Sequence, residues 1–343
     1  MTAAVLYGKE ELKIEEVPVP RVGPDDILVR VRAALTCGTD LKVYRQGYHA
    51  RMIVPPAIFG HELAGEVEEV GEEVQNIRKG MRIVAANSAP CGSCRYCLRD
   101  RANLCENLLF NNGAYAEFIR IPGPIVRQNT LEIPEHIQFA DAALVEPLAC
   151  VLRGFEETGL QRGDSAVVIG MGPIGLMFVR LAKIRGAHVV AIGKRHSQLS
   201  AARRMGADEV VDASKSEDLA AEIRRKTPDG AGADVAVEAV GTPRTWELAF
   251  NTLRRGGTVN GFGGCPAGST VELDTALLHY SEITLKATFH HTPAYIRKAL
   301  ETITRGDIRG ADFITGEAPL ARLPEILRHM ANRNGDLKTA IIP

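Results

Sequence analysis

Residues 165–186 read SAVVIGMGPIGLMFVRLAKIRG, and the fold of the chain turns on them. SAVVIG is small and β-branched, as a buried strand requires. Gly170-Met171-Gly172-Pro173-Ile174-Gly175 then spells GxGxxG. Beyond it Ile174, Met177, Phe178 and Leu181 recur at helical spacing. Alone the glycines would be a weak signal. Between a strand and an amphipathic helix they are a dinucleotide cradle, because glycine lets the backbone approach a pyrophosphate and the helix N-terminus supplies positive potential.

Further strand-like runs follow at 187–193 (AHVVAIG), 208–213 (DEVVDA), 233–240 (ADVAVEAV), 256–263 (GGTVNGFG) and 282–289 (EITLKATF), with helical stretches between them. Ser214 and Glu217 read as a capping box for one helix. Thr242 and Pro243 read as N-cap and first position of another, which ends at Gly256-Gly257. Alternation of this length predicts an α/β fold with a doubly wound parallel sheet. The strand ends at Glu238–Gly241 and Gly261–Gly264 should face its ligand crevice. Enzymes using NAD place an acid at the end of the second strand, to accept bonds from the ribose hydroxyls. Aligned on Leu199, Ala202 and Gly206, that position here is Gly193, followed by Lys194 and Arg195. A glycine makes room for a 2′-phosphate and the two cations can pair with it, so NADP is expected over NAD.

Upstream, to about residue 147, the pattern is short strands: ILVRVRAAL (27–35), HELAGEVEEV (61–70) and MRIVAA (81–86), punctuated by Gly71 and Gly80. These suit a partly open β-barrel. Four of the seven cysteines cluster as Cys91-x2-Cys94-x2-Cys97-x7-Cys105. Close cysteine pairs deliver the four soft ligands of a zinc tetrahedron from one loop, and a site with no spare position is structural. Cys37 in TCGTD, His61 and Glu62 in GHE, and Glu146 in VEP are legitimate ligand types for a second, catalytic zinc. Composition alone does not join them. A length of 343 residues implies two domains, and a net charge of -1 offers no electrostatic case for nucleic acid. The N-terminus lacks a signal-peptide layout, and the longest apolar stretch, 166–179, is too short for a bilayer, so a soluble cytoplasmic protein without a membrane partner is expected.

The run Gly60-His61-Glu62-x2-Gly65-x5-Gly71 resembles the signature of zinc-containing medium-chain alcohol dehydrogenases. TCGTD before it, the cysteine lobe after it and GxGxxG beyond occur in that family's order. VEP followed by LA is more similar to the sorbitol/polyol branch. The resemblance implies a GroES-like β-barrel catalytic domain made of residues 1–147 and 289–343, with a structural zinc lobe at about 88–110, and a Rossmann domain at 148–288. It implies two zinc ions per chain. Cys37 and His61 would hold the catalytic one, together with Glu62, Glu146 or each in turn; Glu62 either binds or stands behind the metal. Thr39 would relay a proton toward the cofactor ribose, and His49 is a candidate further along. Val240 and Phe262 would lie beside the nicotinamide. Tyr44 and the segment Phe289–Thr292, with His290 where polyol dehydrogenases carry an Arg, would meet substrate. The implied reaction moves a hydride between NAD(P) and a small secondary alcohol, polyol or ketone, in a homodimer or homotetramer. A threonine dehydrogenase is the main alternative within the family. A zinc-free quinone reductase and a non-enzymatic zinc module are rivals that the intact ligand set and full GxGxxG unit oppose.

Overall fold

The computed structural model describes residues 1–48, 52–332 and 337–343. It divides into two compact units, Met1–Ala149 with His291–Pro343, and Cys150–His290.

In the first unit the strand Ile27–Leu35 is central. Leu63–Val70 and Phe118–Ile121 pair antiparallel with it, and Arg82–Ala85 and Thr130–Glu132 extend the sheet beyond Leu63–Val70. On the edge away from Leu63–Val70, beyond Phe118–Ile121, Lys338–Ile342 pairs with its last residues, Ala340 opposite Leu35, and Ile314–Pro319 closes that edge. A second sheet holds Glu11–Glu16, Thr2–Gly8 and Ala57–Ile58. Ile27, Val29, Val31, Leu63, Val67, Ile83, Ile119 and Ile341 meet in one apolar core, as alternation along half-buried strands requires.

The second unit is a six-stranded parallel sheet in the order Glu209–Asp212, His188–Gly193, Ser165–Ile169, Ala233–Glu238, Leu253–Gly261, Thr284–Ala287. This is the doubly wound 3-2-1-4-5-6 arrangement, with its switch point between Ser165–Ile169 and Ala233–Glu238. The first crossover helix is Pro173–Arg185. It buries Leu176, Met177, Phe178, Val179 and Leu181, while Ile174 is only half-buried, so its apolar face is wider than a single stripe.

Two boundaries differ from the sequence expectation. Ser214 does not cap a helix: its hydroxyl and amide both bond to Asp212 Oδ1, at 2.6 and 3.0 Å. Asp218 caps Leu219–Arg225 instead, accepting from the Ala221 amide at 3.0 Å. The helix capped by Thr242 runs Pro243–Asn251 and stops well before Gly256-Gly257. The next strand has begun by then, and Gly257 sits inside it, where a Cβ would come within 3.0 Å of the Ala233 and Arg254 carbonyl oxygens.

Candidate active site and dinucleotide cradle

The strand Ile27–Leu35 delivers Cys37 to the N-cap of the helix Gly38–Gln46. Its sulfur accepts the Thr39 amide at 3.5 Å, and the Asp40 carboxylate takes the Cys37 amide at 3.2 Å. This is a capping box with a thiol in the usual hydroxyl's place. Asp40 Oδ1 also lies 2.9 Å from His61 Nδ1. An ionised carboxylate only accepts, so Nδ1 carries the proton and the Nε2 lone pair is left to bind a metal. Burial opposes charging His61, but Asp40 and Cys37 outweigh it and hold the imidazole well above its ordinary value among the protein groups alone. Gly60 sets the turn before His61 at φ 92°, under the Tyr115 ring.

Glu62 is fully buried and receives Lys338 Nζ on both oxygens, at 2.8 and 2.6 Å. Lys338 also donates to the Thr36 carbonyl at 3.0 Å. Burial works against its charge, yet Glu62 and the neighbouring acidic groups carry the amine above its ordinary value. Glu146 stands in the first turn of the helix Val145–Glu156. Burial pushes its carboxyl up to about 7, and Oε1 lies 3.8 Å from His291 Nε2. That same nitrogen is 3.3 Å from Asn87 Oδ1.

The ligand atoms of Cys37, His61 and Glu62 all lie within 4.8 Å of one another. One thiol, one imidazole with a carboxylate behind it and one buried carboxylate fit a zinc ion. Thr39 is half-buried beside Cys37, and Tyr44 is buried within the first unit's apolar core. His290 belongs to the second unit, with φ 65° and its ring stacked on Phe289. His49 lies outside the described residues. Asp40, Tyr115 and Lys338 went unassigned in the sequence. Only Asp40 carried a signal there, as the last residue of TCGTD.

In the lobe, Ser88–Ala89 pairs with Leu109–Phe110 and closes the loop that holds the four cysteines. The ligand atoms of Cys91, Cys94, Cys97 and Cys105 form a second cluster of the same tightness. The Ser93 and Cys94 amides draw the Cys91 thiol down to about 6, whereas burial pushes Cys97 up to about 12. Amides aimed at sulfur and four convergent thiols fit a closed zinc site.

The dinucleotide motif forms a tight cradle in the second unit. Gly170 has φ 101°, and a Cβ on Gly175 would lie 1.8 Å from the Gly170 carbonyl oxygen. Gly172 caps the helix that begins at Pro173, and nothing stands within 4 Å of where its Cβ would be. Val240 is half exposed next to Gly170, and Phe262 packs edge-on against Phe178 with centroids 5.1 Å apart. Gly193 ends its strand buried, and Lys194 and Arg195 after it are exposed. The acid in register with Gly193 on the neighbouring strand, Asp212, is held by Ser214 and Lys215.

A family model for zinc-binding dehydrogenases matches residues 173–305, and one for the alcohol dehydrogenase GroES-like domain matches residues 23–134. Sorbitol dehydrogenase of Bacillus subtilis (strain 168) is 32% identical over 100% of this chain and 97% of its own length. L-threonine 3-dehydrogenase of Rhizobium etli (strain CIAT 652) is 34% identical over 84% of each chain. A Sinorhizobium meliloti 1021 protein described as a zinc-binding dehydrogenase, solved bound to NADP, superimposes with a TM-score of 0.91 at 30% identity, covering 100% of this chain and 99% of its own. The chain belongs to the zinc-binding alcohol dehydrogenase family. It is an oxidoreductase with a GroES-like and a Rossmann unit, working with zinc and a nicotinamide cofactor on a small-molecule alcohol or its carbonyl product. Among the described residues no helix is long and apolar enough to cross a membrane.

Proposed function

We propose that the protein oxidises a small secondary alcohol or polyol, or reduces the matching ketone, with NADP preferred and two zinc ions per chain. The observation that carries this reading is the convergence of half-buried Cys37 with buried His61 and Glu62. Cys37, His61 and Glu62 would hold the catalytic zinc, with Glu146 as the carboxylate that tunes it. The four-cysteine lobe would hold the structural ion. When bound, zinc supplies Lewis acidity at the substrate oxygen, and the nicotinamide supplies or takes the hydride.

The chain's own residues do the rest. Asp40 orients His61. The Thr39 hydroxyl would pass the substrate hydroxyl's proton toward solvent. Gly170, Gly172, Ile174 and Gly175 would let the pyrophosphate reach backbone amides at the N-terminus of the Pro173–Arg185 helix. Lys194 and Arg195 would pair with the 2′-phosphate in the room Gly193 leaves. Val240 and Phe262 would wall the nicotinamide, and Tyr44 and His290 remain candidate substrate contacts. Self-association as a homodimer or homotetramer is supported by the edge strand Thr284–Ala287, which pairs only with Leu253–Gly261 among the described residues and leaves Leu285 40% exposed.

Initial rates on polyols, secondary alcohols and ketones, each with NAD and NADP, test this reading, with zinc analysis of the active preparation. Turnover of a polyol or secondary alcohol and two zincs per chain are expected. One zinc in a fully active preparation contradicts the two-site reading. L-Threonine belongs in the panel because similarity to a threonine dehydrogenase extends over most of the chain, and a decisive preference for it would replace the polyol assignment.

A further inference from the structure

Tyr115 is fully buried and lies against the metal pocket without belonging to any ligand set. Its backbone amide donates to the Phe59 carbonyl at 2.9 Å, and its carbonyl accepts the Ala4 amide at 2.8 Å. The ring is tilted against Phe59 at 5.6 Å, and a Cβ on Gly60 would come within 2.6 Å of it. So confined, the phenol oxygen sits 2.6 Å from Asp40 Oδ2 and 3.0 Å from the Leu35 carbonyl oxygen. A phenylalanine would fill the same apolar volume, and a buried hydroxyl costs free energy unless it finds a partner. Here the partner is a carboxylate, which makes the bond charge-assisted. Burial, then the negative Asp40, holds the phenol well above its ordinary value, so it stays a donor.

The Asp40 carboxylate touches two of the three residues assigned to the catalytic zinc, at the Cys37 amide and at His61 Nδ1. We propose that Tyr115 is a positioning residue that acts through Asp40 to limit how strongly His61 donates to the catalytic metal. The proposal rests on the assignment of Cys37 and His61 as ligands. The sign follows from the hydrogen bonds. An O–H on Oδ2 draws charge from the carboxylate, which then accepts less strongly from His61. A less electron-rich imidazole leaves the metal a stronger Lewis acid. Removing the hydroxyl reverses each step.

The test uses the full-length protein loaded with Co2+, whose visible spectrum is titrated with pH. Cys37→Ser supplies the spectrum of the lobe alone. Tyr115→Phe should keep the far-ultraviolet circular dichroism and NADP binding of the wild type. Its spectral midpoint should rise by about half a pH unit or more, and the kcat/KM midpoint with it. In an Asp40→Asn background the same replacement should add no shift. If Tyr115→Phe does not fold, 3-fluorotyrosine at position 115, a stronger donor of the same shape, should lower the midpoint instead. Coincident midpoints for wild type and the position-115 variants would overturn the role of Tyr115. Identical cobalt spectra for wild type and Cys37→Ser would overturn the metal assignment, and the role of Tyr115 with it.

Discussion

The two cysteine-containing clusters of the first unit are built in opposite ways. The lobe takes all four thiols from one loop of the chain, Cys91 to Cys105, held by a two-residue ribbon, and only Cys105 is buried. The Cys37 pocket takes its groups from a helix N-cap, a strand entry, the Val145–Glu156 helix and the C-terminal strand, and His61, Glu62, Glu146 and Lys338 are all buried. A loop with little apolar packing must draw its order from a metal, so binding there is folding free energy. A pocket carried on a packed sheet is ordered by its scaffold, and binding there can be used for chemistry. On the proposed reading, local ligands mark the structural site and ligands dispersed over a packed scaffold mark the catalytic one.

The strongest way to break that contrast is Cys94→Ser. Structural zinc in small modules contributes on the order of 10–16 kcal/mol of binding free energy. Loss of one ligand should release one zinc per chain, lower the melting temperature and open the lobe to protease between residues 91 and 105. Unchanged zinc content and an intact lobe would erase the distinction. Next comes Cys37→Ser, which should keep the melting curve and lose turnover by at least about 10³-fold, roughly 4 kcal/mol of transition-state stabilisation. A fall in stability matching that of Cys94→Ser would show that both sites hold the fold.

Lys338→Met tests the scaffold behind the pocket. In the zinc-free protein it strands the buried Glu62 carboxylate, a loss that typically costs about 3–5 kcal/mol. Denaturant unfolding should show it, and Glu62→Gln in the same chain should restore most of it. Failure of the double variant to recover would mean that Lys338 matters for something other than the pair. The smallest effect lies in the second unit. Gly193→Asp with Arg195→Ala should shift the NADP-to-NAD ratio of kcat/KM by about tenfold or more toward NAD, ~1.4 kcal/mol. Leu199 Cδ2 and Met171 Cγ, each 3.2 Å from the position of a Cβ on Gly193, must yield slightly. A wild type already favouring NAD would refute the reading of Gly193, Lys194 and Arg195.

The parallel sheet, its cradle and the cysteine lobe were legible because each is a local pattern. A buried strand, a glycine turn and a helix are specified within some twenty consecutive residues, and four thiols within fifteen positions need no distant partner. Helix ends were read less well. Ser214 has the chemistry of a cap, but the nearer Asp212 carboxylate claims it, and sequence order does not rank two such partners. The catalytic pocket was legible only as residue types made meaningful by family resemblance. Its assembly belongs to the tertiary structure. Tyr115 meets Asp40 across 75 residues and Lys338 meets Glu62 across 276. Both contacts follow from strand pairing on Ile27–Leu35, whose edge opposite Leu63–Val70 takes Phe118–Ile121 along its first residues and Lys338–Ile342 along its last. Hydrophobic periodicity tells a strand which face to bury. It does not say which strand lies next to it, and that neighbour decides which buried charge finds its partner.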